Sequence, residues 1–221
     1  MFAKWNREDK FIALTLVGSL SGVTIGALLR NPAVFGISTF VLMTAFVVVT
    51  FWWRSPRLMW LMLFGAVVGF GELWSDWLHV EVLRSLVYTD YFGFRIMASP
   101  SYMPFGWWFT AVQFGYIALR LAEVWGPRRA LALVTLLGMS IPPWYEEFAA
   151  PARAWYYPPH GPMLSHTPVW IILTYGGCMF SIGTMAWVWY REGAWGRAIV
   201  AGIFAAAGIA YSALVFYQIF L

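Results

Sequence analysis

Three side chains on one short stretch carry the strongest chemical signal: Glu72, Asp76 and His79. On a helix turning by about 100° per residue they fall at about 0°, 40° and −20°, a single narrow stripe. Two carboxyl groups and an imidazole in line can hold a proton and deliver it, which is acid–base chemistry. The same groups could share a divalent metal ion, with Glu147, His160 and His166 completing the ligand set. They could also form an interhelical hydrogen-bond cluster beside a small-residue packing face. Backward along the stripe lie Gly65 at about 20° and Gly69 at about 60°, read as a groove leading a substrate up to the acids.

A second cluster is Pro142-Pro143-Trp144-Tyr145-Glu146-Glu147, followed by Trp155-Tyr156-Tyr157-Pro158-Pro159-His160. Paired prolines stop or kink a helix. The two adjacent carboxylates then point apart, one into the bundle and the other toward water or Arg153. Glu146 and Glu147 join Glu72 and Asp76 as candidate catalytic acids, with His79, His160 and His166 tuning them. Tyr102, Trp107, Trp155, Tyr157 and Trp170 are candidate walls for an apolar substrate.

The elements that must position these groups are set by composition. Of 221 residues, 61% are apolar and 11% charged, against roughly half and a quarter in soluble domains. That balance excludes a soluble enzyme and a disordered chain. The net charge of +4 forms no basic stripe for phosphates, so no nucleic-acid partner is expected. The single cysteine, Cys178, permits neither a disulfide framework nor a thiolate zinc cluster.

Seven runs reach the ~20 apolar residues needed to span a bilayer: about 11–29, 34–52, 57–79, 103–123, 128–146, 167–190 and 196–219. They predict an all-α polytopic protein, one seven-helix transmembrane domain over 1–221. The first run is long, follows the mixed charges Lys4 to Lys10, and precedes no clear small-residue cleavage site, unlike a signal peptide. Ten basic residues fall on the amino-terminal side: Lys4, Arg7, Lys10, Arg54, Arg57, Arg120, Arg128, Arg129, Arg191 and Arg197. Only Arg30, Arg84, Arg95 and Arg153 fall on the other. The asymmetry predicts a cytoplasmic amino terminus and an external carboxyl terminus, in a bacterial inner membrane. The acids split oppositely. Glu8, Asp9, Glu123 and Glu192 sit among the basic residues, as solvated partners for them. Glu72, Asp76, Glu81, Asp90, Glu146 and Glu147 gather toward the outer side with all three histidines.

The two long connectors, 80–102 and 147–166, read as copies of one plan. Each follows a helix ending in acids and passes through aromatics and prolines. One enters the next helix through Ser99-Pro100, the other through Thr167-Pro168. That predicts a parallel repeat of helix pairs.

The run from Pro143-Trp144 to Trp155-x-Tyr157, then a glycine and Pro168 opening a helix, resembles the integral-membrane carotenoid cyclases and hydratases. The resemblance covers residues 70–170. It implies protonation of an isoprenoid double bond, then ring closure or water addition, with isomerisation also open. It makes Glu146 or Glu147 and Glu72 or Asp76 the proton donors, and aromatics the stabilisers of a carbocation. The family's Pro-x-Glu-Glu is replaced here by Pro168-Val169-Trp170, which weighs against ring closure. Separately, Pro100-Ser101-Tyr102-x-Pro104-x-x-Trp107-x-Phe109 resembles the tryptophan-rich sensory proteins, five-span binders of tetrapyrroles and sterols.

Three functions therefore stand as expectations. The first is acid–base chemistry on a long apolar isoprenoid. The others are a metal-dependent enzyme and a non-catalytic pigment-, tetrapyrrole- or lipid-binding subunit of a homo-oligomer or larger membrane complex. Lys4 and Lys10 are the only lysines and precede the first span, so no retinal Schiff base can form within the bundle. A bridging haem would need His79 and His166 together, and haem is not expected. No phosphate-binding or dinucleotide fingerprint is present.

Overall fold

The computed structural model describes residues 5–89 and 93–220; Lys4 and Asp90 lie outside them. Among the described residues eight α-helices run in chain order: α1 (Arg7–Leu29), α2 (Pro32–Trp53), α3 (Pro56–Trp77), α4 (Met103–Trp125), α5 (Pro127–Gly138), α6 (Pro142–Ala149), α7 (Val169–Trp189) and α8 (Trp195–Ile219). Five of them, α1, α2, α3 with its extension, α7 and α8, are long and apolar enough to cross a membrane. The chain is an all-α integral membrane protein.

The sequence explains where these helices start and stop. Asn6 accepts a hydrogen bond from the Asp9 amide at 2.8 Å, and Asp9 accepts one from the Asn6 amide at 2.9 Å. This reciprocal box satisfies amides that α1 cannot bond internally. Two connectors repeat one device. Arg30 and Arg54 take left-handed backbone, with φ of 50° and 49°, and close the preceding helices. Asn31 and Ser55 then cap the next ones, which open on Pro32 and Pro56, where a missing amide costs nothing.

The expected span over 128–146 is instead two helices, α5 and α6. Pro142 lacks the amide that would bond to Gly138, and its ring would meet that carbonyl. At its C-terminal end α3 widens into a π-turn, Leu78–Val82. That turn contains His79.

Six two-residue strands shape the long connectors: β1 (Val87–Tyr88), β2 (Arg95–Ile96), β3 (Ser99–Pro100), β4 (Trp155–Tyr156), β5 (Met163–Leu164) and β6 (Thr167–Pro168). The β2–β3 and β5–β6 hairpins each end in Ser-Pro or Thr-Pro, directly before α4 and α7. Each turns through a left-handed residue, Met97 or Ser165. The strands β1 and β4 pair antiparallel, tying the two connectors together. Arg84 and Arg153, also left-handed, lie three and two residues before β1 and β4.

The tightest helix packing is α3 against α4, through glycine. A Cβ on Gly69 would lie 2.2 Å from the Pro104 carbonyl oxygen, and one on Gly65 2.7 Å from that of Trp108. These glycines therefore seat one backbone on another and do not form a substrate groove, which corrects the reading of Gly65 and Gly69 as binding residues. At the opposite end from the acids, Arg120 pairs with Asp9 at 2.8 Å and also with Glu123, while Arg57 pairs with Glu123 at 2.6 Å. This network joins α1, α3 and α4, as expected for the basic end.

Candidate functional site

Glu72, Asp76 and His79 are buried, at 3%, 6% and 6% exposure, and all three line one internal chamber. The helical stripe read from their spacing is thus real. Glu146, at 3% exposure, reaches the same chamber from α6. The space between its lining residues, with the solvent at its mouth included, is about 520 Å³. Tyr88, Trp107, Trp155, Tyr157, Trp170 and Tyr175 supply its aromatic walls. The last helix also contributes, through Ile209 and Ala213, although its sequence carries no charge there.

The carboxyl groups differ in how they are held. Asp76 accepts hydrogen bonds from the Tyr88 hydroxyl at 2.5 Å and the Ser99 hydroxyl at 2.6 Å. Glu146 accepts from the Trp155 indole at 2.6 Å, the Tyr157 hydroxyl at 2.8 Å and the Tyr175 hydroxyl. Both are fixed by donors that stabilise negative charge. Glu72 is not: its Oε2 is buried with no partner. A buried polar atom without a partner is costly, so this one is available to something in the chamber.

His79 is held by three side-chain contacts, one of them an edge-to-face contact with the Tyr217 ring at 5.7 Å. Its Nδ1 is 2.7 Å from the Ser85 hydroxyl, and its ring stacks on Trp170 with centroids 5.4 Å apart. Its Nε2 is buried and unpartnered. The Trp170 indole nitrogen and the Thr174 hydroxyl, both on the chamber wall, also lack partners. Four open polar atoms therefore line a mostly aromatic space.

The tyrosines of the connectors act as fixed donors. Burial holds the Tyr157 phenol well above its ordinary range, and the Glu146 carboxylate adds to this. Burial and the Asp76 and Glu72 carboxylates do the same for Tyr88.

Several expected residues lie elsewhere. Glu147 is half-buried outside the chamber, where it accepts from the His166 amide at 3.1 Å and the Thr167 hydroxyl at 3.3 Å, and meets His166 Nδ1 at 3.0 Å. It braces the β5–β6 hairpin and does not enter the chamber, nor does it meet Arg153. His166 is exposed, far from the buried setting of His79, so the two do not form a haem pair. His160 packs by its ring edge near Tyr217. Among the described residues, no three His, Cys, Asp or Glu side chains gather where they could hold a metal ion. The proposed ligand set is split: Glu72, Asp76 and His79 line the chamber, while Glu147 lies on α6 outside it and His160 and His166 lie in the connector after α6. Tyr102 is buried but lines a neighbouring cavity, with its hydroxyl unpartnered.

Sequence reasoning missed Tyr88, Ser99, Ser85 and Tyr175. The signal for Tyr88 was present. Arg84-Ser-Leu-Val-Tyr88 matches Arg153-Ala-Trp-Tyr-Tyr157 in position, and both tyrosines serve a carboxylate. Eight positions separate Asp76 from Arg84 and seven separate Glu146 from Arg153; the π-turn absorbs the extra residue.

Fold and site together define a helical membrane protein with a buried, aromatic-walled chamber carrying three carboxyl groups and an imidazole. Residues 73–220 match the family described as a domain of unknown function (DUF6989), and the chain belongs to that family. No curated protein and no solved structure matches the chain.

Proposed function

We propose that the protein is a membrane enzyme that protonates a carbon–carbon double bond of a long apolar isoprenoid, of the carotenoid kind that its resemblance implies. The observation that carries this is the pair of open atoms, Glu72 Oε2 and His79 Nε2, facing one aromatic chamber. An apolar substrate has no polar group to satisfy a site rich in acids, so proton transfer is the chemistry left to it.

Glu72 delivers its proton to one alkene carbon, and the adjacent carbon becomes a cation. The faces of Trp170, Trp107 and Trp155 and the fixed Asp76 and Glu146 carboxylates stabilise that charge. Loss of a neighbouring C–H proton to His79 Nε2 gives an isomer. Attack by water, with its proton passing to His79, gives an alcohol. Attack by a second double bond closes a ring and moves the cation to that bond's other carbon, whose neighbouring C–H proton is then lost to His79 Nε2. Each route returns one proton to the site, so no redox partner is needed.

Membranes containing the protein are incubated with lycopene, an acyclic forty-carbon polyene, in deuterium oxide. The product should carry deuterium bound to carbon. Glu72→Gln should abolish it, Asp76→Asn should reduce it severely, and Glu147→Gln, outside the chamber, should leave it unchanged. Normal product formation by folded Glu72→Gln and Asp76→Asn would overturn the proposal. A co-purifying pigment that undergoes no chemical change would favour a binding subunit, a reading supported by the fully satisfied hydrogen bonding of Glu146.

The proposal also takes the seven-crossing topology, in which α5 and α6 together make one broken crossing. It places the amino terminus in the cytoplasm of a bacterial inner membrane and the chamber toward the outer face.

A further inference from the structure

Beside the acid chamber lies a second, partly open cavity between α1, α2, α4 and α6, about 630 Å³ with the solvent at its mouth included. Val23, Phe35, Leu42 and Phe109 make its apolar surface. Its hydroxyls are largely occupied locally: Ser19 bonds Tyr145 at 2.6 Å, and Ser38 donates to the Phe35 carbonyl at 2.9 Å. The one ionisable carboxyl on its wall is Glu146, which the acid chamber shares. The Tyr102 hydroxyl on its wall is buried without a partner, and most of the remaining wall is apolar. It suits hydrocarbon.

The two cavities meet at a single layer of side chains. Met103, Trp107, Glu146, Trp155 and Tyr175 line both. Trp107 and Tyr175 stack with centroids 5.7 Å apart, a firm part of that layer. Met103 is its adaptable part, since an unbranched thioether can swing aside at little cost.

Gly106 lines the apolar cavity, and a Cβ added there would meet nothing within 4 Å. Its backbone is not in the left-handed region. Glycine in a helix is destabilising unless conformation or close packing requires it, and neither requires it here. Gly65 and Gly69 on the facing helix make the contrast, because their missing side chains are filled by α4. What the absent side chain of Gly106 provides is room in the cavity.

We propose that the apolar cavity receives the hydrocarbon tail of the molecule whose reactive end lies in the acid chamber, and that Gly106 sets the length of chain admitted. The inference rests on the acid-chamber reading for the identity of the reacting end. A larger side chain at position 106 shortens the cavity without touching the acids.

The test is equilibrium binding of radiolabelled geraniol and geranylgeraniol, ten- and twenty-carbon prenyl alcohols, to the full chain in nanodiscs. Gly106→Trp should weaken geranylgeraniol by about tenfold or more and leave geraniol within about twofold. Gly106→Leu, the milder change should tryptophan block folding, should fall between. Unchanged geranylgeraniol binding in both variants, or equal loss of both alcohols, overturns the proposal. So does a phospholipid acyl chain that co-purifies with the wild type, is lost in Gly106→Trp, and goes with no discrimination by length. Binding is read without turnover, so Glu72→Gln should keep the discrimination. Length selection that persists while Glu72→Gln still makes product would refute the acid chemistry alone.

Discussion

At the residue scale, the chamber's carboxyl groups are sorted by their donors. Asp76 and Glu146 are held by side chains from the connectors, the β3 start and α7, while Glu72 keeps an open oxygen. The tyrosine donors have a consequence for stability. The folded chain keeps the Tyr88 and Tyr157 protons, raised chiefly by burial, above the ordinary value of 10.0. The unfolded chain releases them near that value. Stability should therefore be level below about pH 10 and fall as pH rises above it, because the unfolded state then binds fewer protons. Tyr88→Phe and Tyr157→Phe should flatten that alkaline fall, read by thermal unfolding in detergent across pH. Each should also cost about 1–3 kcal/mol at neutral pH, because a buried carboxyl loses a donor. An alkaline limb equally steep in both variants would contradict the assignment.

At the element scale, glycine serves two opposite uses on facing helices, Gly69 on α3 and Gly106 on α4. Gly69 must stay small because the α4 backbone occupies its side-chain position. Gly69→Ala should separate α3 from α4 and sharply lower the yield of folded protein, beyond the 1–3 kcal/mol or so usual for overpacking. Gly106→Ala, with open space around it, should be tolerated. Size-exclusion profiles of the two variants compare them directly, and similar profiles would refute the packing account. The stripe of Glu72, Asp76 and His79 was legible because helical spacing alone decides which residues share a face. The division of acids and histidines toward one end, the basic cluster at the other and the Pro142–Pro143 break were legible for the same local reasons. The sequence reading misassigned Gly65 and Gly69, since a small residue looks alike whether a neighbour or a ligand fills its space. It also placed Glu147 with Glu146, because adjacency cannot say which carboxylate the helix turns inward. Tyr175 and Ser99 come from distant segments, and only the packing of α7 and the β2–β3 hairpin brings them to the acids. The extra residue that the π-turn absorbs hid the match between Asp76 and Glu146.

At the scale of the whole molecule, scarcity of charge organises function. One end binds its helices through Arg57, Arg120, Asp9 and Glu123. The other end buries Glu72, Asp76 and Glu146, and in the topology proposed a carboxylate within the bilayer costs about 2.5–3.5 kcal/mol on insertion scales. The proposed topology puts these ends on opposite faces. A periplasmic reporter enzyme fused after the last helix should be active and one fused after α2 inactive; the reverse pattern would refute the orientation. The central claim is that Glu72 gives a proton to carbon. Its most direct measurement is carbon-bound deuterium in product formed from lycopene in deuterium oxide by wild type and Glu72→Gln. The account predicts label from the wild type and none from a folded Glu72→Gln protein. Equal labelling by the two, or product free of carbon-bound deuterium, would contradict it.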